Sequence, residues 1–335
     1  MRKKTVSEYI EGIKNGNRAL LAQTITLIES NAAKHRKKAE AILKAIHHLS
    51  GNSIRIGVSG VPGAGKSTFI ETLGTYLCNN GYHVAVLAVD PSSTVSGGSI
   101  LGDKTRMSEL ARNKRAFIRP SPSGGKLGGV HYKTRESILL CEAAGYDVIF
   151  VETVGVGQGE TEVRELVDFF ILLVLTGGGD ELQQMKRGIL ELADLLCVHK
   201  ADGNNKQQAL LTQKEYELSL HLLHSNQDGW EPKAVSCSSL DNEGIEEIWD
   251  IICEFKTYMK ERHLFYENRM KQSNAWLESL VREYLWNSFY ENEEVKKYFY
   301  DIKTRTEHGS LTALEGAYEL IHLYEKRAAK NERCD

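Results

Sequence analysis

The sequence has few prolines, and they are unevenly placed. All five, Pro62, Pro91, Pro120, Pro122 and Pro232, lie in the middle of the chain. Proline removes a backbone donor and interrupts helices. Both flanks are therefore free to form long helices, and the loops concentrate between them. The six cysteines, Cys78, Cys141, Cys197, Cys237, Cys253 and Cys334, include no C-x-x-C pair, and most stand inside apolar runs. That spacing argues against a structural zinc site or a disulfide framework and for buried, reduced thiols. Long hydrophobic runs are missing too. The longest strongly apolar stretch, Phe169 to Leu175, is far shorter than a membrane span. The charged start, Met1 to Glu8, is not followed by an apolar signal core. A cytoplasmic protein with no membrane partner is the expectation. Charge of one sign is also lacking: 42 Lys and Arg stand against 45 Asp and Glu, for a formal net charge of -3. That balance gives no push toward nucleic acid. No repeat or low-complexity segment stands out, and 335 residues suggest two domains or one with appendages.

The most informative stretch present is GVPGAGKS, Gly60 to Ser67, which matches the phosphate-binding pattern G-x-x-x-x-G-K-[ST] at every fixed position. Ile54 to Ser59 before it reads as a short buried strand, and Thr68 to Leu77 after it carries apolar residues at helical spacing. Glycines let a backbone turn its N–H groups around phosphate oxygens, and the following helix points its positive end at the same anion. The nucleotide-holding candidates are Gly60, Val61, Pro62, Gly63, Ala64, Gly65, Lys66, Ser67 and Thr68. Lys66 is placed to neutralise the β- and γ-phosphates, and Ser67 to hold Mg²⁺.

Before this motif, residues 6–49 read as helical, with Asn17 capping a helix whose Leu20, Leu21, Ile25 and Ile28 share one side. The basic run Lys34 to Lys38 is read as a solvated helix face. From residue 54 the pattern becomes strand and helix in alternation. Apolar strands are expected at His83–Val89, Phe117–Ile118, Val148–Val151, Phe169–Leu175, Leu195–Val198 and Ala234–Val235. Near-continuous apolar strands separated by helices predict an α/β P-loop NTPase, with a mostly parallel central sheet covered on both faces. Beyond residue 243 the chain turns helical again. Trp276, Leu277, Leu280, Val281, Tyr284, Leu285 and Phe289 form one apolar stripe, and Leu311, Leu314, Tyr318 and Ile321 another. The organisation expected is a helical extension at 1–50, a nucleotide domain at 51–260 and a helical region at 261–335.

Parallel sheets place ligands at the carboxyl ends of their strands, and the polar exceptions fall there. Asp90 and Glu152, each at a strand end, are candidates to hold Mg²⁺ directly or through water beside Ser67, with Asp103 as a third. For each, a capping or solvated carboxylate is the plain alternative. Glu152-Thr153-Val154-Gly155 resembles the D-x-x-G motif of GTPases, where Gly155 would present its N–H to the γ-phosphate. Gln158 lies in the glycine-rich stretch after it, as a candidate to orient water. His199-Lys200-Ala201-Asp202 stands where GTPases carry N-K-x-D. An aspartate there accepts from guanine's ring N–H and exocyclic amine, a donor pair that adenine lacks. Histidine replaces asparagine here. A neutral imidazole can donate one N–H to N7, so guanine preference is expected with altered affinity.

Taken together these residues resemble the MeaB/ArgK family, in the metal- and cofactor-chaperone class of P-loop GTPases. The resemblance covers residues 17–250 and, more loosely, the helical tail. It is carried by GNRALLAQTITLIES at 16–30, GVPGAGKST at 60–68, VDPSS at 89–93, GGSILGDKTRM at 97–107, RPSPSGG at 119–125, CEAAGYDVIFVETVGVGQ at 141–158 and GDELQQMKRGILELAD at 179–194. It implies Mg²⁺ and phosphate roles for Lys66, Ser67, Asp90, Asp103 and Glu152, and base binding by Asp202 beside Lys200. It also implies a guanine loop of Ser236, Cys237, Ser238 and Ser239. A segment about Gly177–Arg187 would couple nucleotide state to a partner, with Lys186 supporting hydrolysis. The implied activity is hydrolysis of GTP to GDP and phosphate. The implied role is gating the loading of adenosylcobalamin into methylmalonyl-CoA mutase, or a related cobalamin-dependent mutase, and protecting that enzyme. A homodimer joined through the helical extension is implied too. His199 and Lys126 depart from the family pattern. An amino-acid transport-associated ATPase or kinase and a nucleotide-regulated scaffold with little turnover are the alternatives.

Overall fold

The structure, a computed structural model, describes residues 4–30, 32–90, 107–122, 129–153, 160–177, 187–223 and 229–331. Three helices open the chain. α1 (Val6–Lys14) begins with a reciprocal cap in which Thr5 Oγ1 accepts from Glu8 N and the Glu8 carboxylate accepts from Thr5 N. α2 (Arg18–Glu29) is capped by Asn17, whose side chain accepts from the N–H groups of Ala19 and Leu20. α3 (Ala33–Ile46) carries the basic run, and there the Lys38 amine lies 4.6 Å from the centre of the Tyr9 ring. Leu21, Ile25, Ile28 and Ile42 turn inward and share one core with Ala85, Ile149 and Phe170 of the sheet.

The alternating part follows as β1 (Ile54–Gly60), α4 (Lys66–Asn79), β2 (Val84–Asp90), α5 (Ser108–Arg112), β3 (Ala116–Pro122), α6 (Gly129–Ala143) and β4 (Val148–Glu152). It continues with α7 (Glu160–Arg164), β5 (Phe169–Val174), α8 (Arg187–Leu190), β6 (Leu195–Val198), α9 (Lys206–Leu223), β7 (Lys233–Ser236) and α10 (Ile245–Glu261). The strands form one seven-stranded sheet in the order β3-β2-β4-β1-β5-β6-β7. Every pairing between named strands is parallel. Every residue of β1, β4, β5 and β6 is buried, and all but Arg55, Ser59 and Glu152 are apolar or glycine, as a sheet covered on both faces requires. Side chains of α1 to α3, α6 and α9 pack into one core, and those of α4, α5 and α10 into the other.

At the amino ends of the strands one device recurs. Asp147, Asp168 and Asp194 each stand immediately before a strand. Asp147 donates its N–H to His83 O at 2.9 Å and accepts His83 N–H at 2.8 Å on its carboxylate. Asp168 closes the same double bond with Arg55 at 2.9 and 2.8 Å, and Asp194 with Phe170 at 2.9 and 2.8 Å. Each aspartate thus fixes the register of two neighbouring strands where the ladder starts. Beside them lies a buried ion network. Arg55 donates to both oxygens of Glu142 at 2.9 and 3.0 Å. Arg269 grips Asp168 at 2.6 and 2.7 Å and donates to Gly51 O and Ser53 O, each at 2.7 Å.

The chain forms two compact units, residues 1–269 and 270–335. α11 (Leu264–Glu291) carries Arg269, and α12 (Glu293–Glu307) and α13 (Ala313–Asn331) complete the chain. Within the second unit, Asn292 caps α12 and Ser288 Oγ lies 2.9 Å from Tyr324 Oη. Most of the two apolar stripes stay uncovered there: Leu277, Tyr284, Leu285, Leu314 and Tyr318 are all more than half exposed. No described helix is long and apolar enough to cross a membrane.

Candidate nucleotide site

The glycine loop joins β1 to α4 at the carboxyl edge of the sheet. Two of its glycines are required for different reasons. Gly60 has φ +154, and a Cβ there would lie 2.4 Å from the carbonyl oxygen of Leu173 on β5. Gly65 has φ +91, and a Cβ there would lie 2.7 Å from the His199 ring. Gly65 also stands at the N-cap of α4 with no side-chain cap, so the first N–H groups of the helix are left for another acceptor. Between them Val61 O accepts from Ala64 N at 3.0 Å, which closes the turn over Pro62 and Gly63. Such a cradle of uncapped N–H groups fits a phosphate.

Lys66 reaches back over this loop and donates to Gly60 O at 2.8 Å and Val61 O at 3.3 Å. Burial lowers its pKa, while the nearby charges of Glu152 and Glu160 act against that. Ser67 Oγ donates to Glu152 Oε1 at 2.7 Å. Glu152 is held at the end of β4 because the next residue, Thr153, is tied to β1 through Val58 O at 3.1 Å and Ser59 Oγ at 2.9 Å. A serine hydroxyl and a carboxylate at one point form a hard oxygen donor set of the kind Mg²⁺ takes. Thr68 is exposed one position further along α4.

The second half of the site is built from the ends of β6 and β7. Lys200 adopts a left-handed backbone, φ +60, and Asn205 fixes it by donating to Lys200 O at 2.6 Å. Ala201 N donates to Cys237 O at 3.0 Å. Ser238 Oγ donates to the Asp202 carboxylate at 3.1 Å. The structure therefore brings Asp202 and Ser238 into contact, next to Ser236 and Cys237. The Cys237 side chain turns into the core, 3.0 Å from Cys197 Sγ, and its backbone is tied to β6 and the loop after it, its N–H to Val198 O at 2.9 Å and its carbonyl to Ala201 N at 3.0 Å. Burial raises the Cys197 thiol well above its ordinary pKa.

His199 departs from its expected use. It is 2% exposed, with Nδ1 at 2.6 Å from Ala64 O and Nε2 at 2.7 Å from Ser239 Oγ. Burial lowers its pKa, so the ring is neutral near pH 7. The single N–H expected to reach guanine N7 points instead at the glycine loop. Asp90 ends β2, but its side chain lies outside the described residues, as do Asp103, Gly155, Gln158 and Lys186. Ser239, the last residue of the expected guanine loop, is instead the partner of His199. One further participant carries little signature in the sequence: Glu160 is buried and acts electrostatically on Lys66. Its only sequence signal is an acid after a glycine-rich stretch.

A glycine loop between the first strand and its helix, at the carboxyl edge of a parallel sheet, defines a P-loop NTPase. The family model "Methylmalonyl Co-A mutase-associated GTPase MeaB" matches residues 21–294. The chain is 47% identical to the Escherichia coli K12 protein "GTPase ArgK" over 316 residues, 94% of this chain and 96% of that one. It is 42% identical to the mitochondrial methylmalonic aciduria type A homolog of Mus musculus, across 96% of this chain and 80% of that one. A solved structure described as an LAO/AO transport system kinase superposes with a TM-score of 0.77 at 39% identity, covering 97% and 99% of the two chains. The chain belongs to the MeaB family, and it is a P-loop GTP hydrolase.

Proposed function

We propose that this GTPase acts as a chaperone of methylmalonyl-CoA mutase or a related cobalamin-dependent mutase. Its hydrolysis cycle would gate the loading of adenosylcobalamin and protect the loaded enzyme. The observation that carries this reading is the Ser67–Glu152 pair beneath the glycine loop, in a chain of the mutase-associated family. In this reading the uncapped N–H groups of α4 and Lys66 bind the β- and γ-phosphates, and Lys66 exchanges its two carbonyl partners for them. Ser67 and Glu152, with Asp90 and Asp103, hold Mg²⁺, which neutralises charge on the phosphate oxygens. Asp202, oriented by Ser238, accepts from guanine. Gly155 senses the γ-phosphate, and Lys186 supports its departure. GTP and GDP then favour different arrangements of the segments around Gly155 and Gly177–Arg187, and a partner that prefers one of them reads the nucleotide state. The uncovered apolar stripes of the C-terminal unit support a homodimer, and a cytoplasmic location fits the reading.

Phosphate release by the purified protein, with GTP or ATP and with or without a cobalamin-dependent mutase, tests this. Turnover of GTP that changes several-fold when the mutase is added is expected. GTP turnover indifferent to the mutase would overturn the chaperone role. Turnover of ATP equal to that of GTP would favour the transport-kinase alternative.

A further inference from the structure

His199 joins two halves of the site that are far apart in the chain. Ala64 belongs to the glycine loop, and its carbonyl can only accept, so His199 Nδ1 carries the hydrogen in that 2.6 Å contact. Nε2 is then matched to the Ser239 hydroxyl at 2.7 Å, in the loop after β7. With the hydrogen on Nδ1, Nε2 accepts from the Ser239 hydroxyl, and both ring nitrogens are engaged with protein. The ring is pinned further by the edge of Phe69, 6.0 Å away between centroids, and by Gly65, where even a methyl group would collide with it. Ser239 is held in turn, because its carbonyl accepts from Thr72 Oγ1 of α4 at 3.3 Å. An asparagine amide has two N–H donors, so it can serve a backbone carbonyl and a ligand together. A neutral imidazole has one.

We propose that His199 is a positioning residue that ties the glycine loop to the loop after β7, and that this chain consequently recognises guanine without a contact from residue 199 to N7. The inference rests on the reading of Asp202 as the acceptor for the base. It assigns discrimination to the Watson–Crick edge alone, and it makes guanine nucleotides altered at N7 acceptable ligands.

The test is equilibrium binding of GTP, 7-deaza-GTP and ATP, each with Mg²⁺, to the full chain and to the variants His199→Asn and Ser239→Ala. The wild type should bind 7-deaza-GTP within about twofold of GTP, because less than one neutral hydrogen bond separates them. In His199→Asn the second amide donor becomes available to N7, and 7-deaza-GTP should fall about fivefold below GTP. In Ser239→Ala both ligands should weaken by the same factor, about threefold, because only positioning is lost. A wild type that prefers GTP to ATP yet loses fivefold or more with 7-deaza-GTP overturns the inference. So does a His199→Asn ratio that stays at the wild-type value, or a Ser239→Ala protein with unchanged GTP affinity. A wild type that binds ATP as tightly as GTP fails differently: it removes the guanine reading on which the inference stands. If His199→Asn does not fold, the wild-type and Ser239→Ala measurements still decide the matter.

Discussion

The two ends of the sheet use the same kinds of residue in opposite ways. At the amino ends, Asp147, Asp168, Asp194, Glu142, Arg55 and Arg269 are bonded to backbone groups or to one another. Their partners come from strand starts and helix ends that belong to the fold itself. At the carboxyl ends, Lys66 rests on two carbonyls of its own loop, Ser67 on Glu152, and Asp202 on Ser238. In the proposed reading a phosphate, a cation and a base replace these partners. Charge alone therefore does not mark a site. What marks it is whether the partner of the charge can be exchanged without undoing the fold.

The largest expected effect attacks the fixed end. Arg269→Ala leaves Asp168 buried without its cation, which should cost about 3–5 kcal/mol of stability. Denaturant unfolding measures this. GTP affinity of the folded fraction should not change; a loss of affinity matching the loss of stability would erase the contrast between the two ends. Next comes the exchangeable end. Lys66→Ala should slow GTP hydrolysis by on the order of 10²–10³-fold in a phosphate-release assay. Its melting temperature should hold or rise, because a buried cation is removed. A variant that is as active as wild type but unstable would reverse the assignment. Asp202→Ala should reduce the preference for GTP over ATP by about 10–100-fold, the value of hydrogen bonds to a charged group. Competition binding reads this ratio directly.

The smallest effect is a pH dependence. His199 has a folded-state pKa below its ordinary 6.5, mainly through burial, so the unfolded chain binds a proton first as pH falls. Stability should therefore decline as pH drops through 6.5 and level off only below the folded pKa. A His199→Gln variant should lose part of this slope. Melting curves of the two proteins between pH 7.5 and 5.5 would show it, and identical slopes would mean that other groups set the acid response.

The carboxyl end is largely legible in the sequence. Gly60 to Ser67 announces its own geometry because the loop, the strand and the helix are contiguous. Asn17 announces a helix start for the same local reason, and the strand cores follow from apolar runs. The amino end is not legible in this way. Asp147, Asp168 and Asp194 look like ordinary loop acids until the strand order shows which neighbour each one caps. His199 escapes a sequence reading for a similar reason. Its partners lie 135 and 40 residues away, and no local pattern states that an imidazole has both nitrogens engaged. Strand ends differ from expectation by a residue or two at β2 and by more at β3, where the run Arg119 to Pro122 continues the pairing with β2 in spite of its polar and proline content. Register with a neighbouring strand outweighs local composition there.

Arg269 also bears on where the molecule can be shortened. It lies beyond α10, on the helix that leads into the C-terminal unit, yet three of its bonds close on Gly51, Ser53 and Asp168 near the start of the sheet. A fragment ending at residue 260 would keep every motif proposed to touch nucleotide and still lack the cation on the opposite edge. A fragment that runs past the first turns of α11 keeps it. The first compact unit thus runs past the last strand and the last motif, as far as this guanidinium and the buried Phe265 before it.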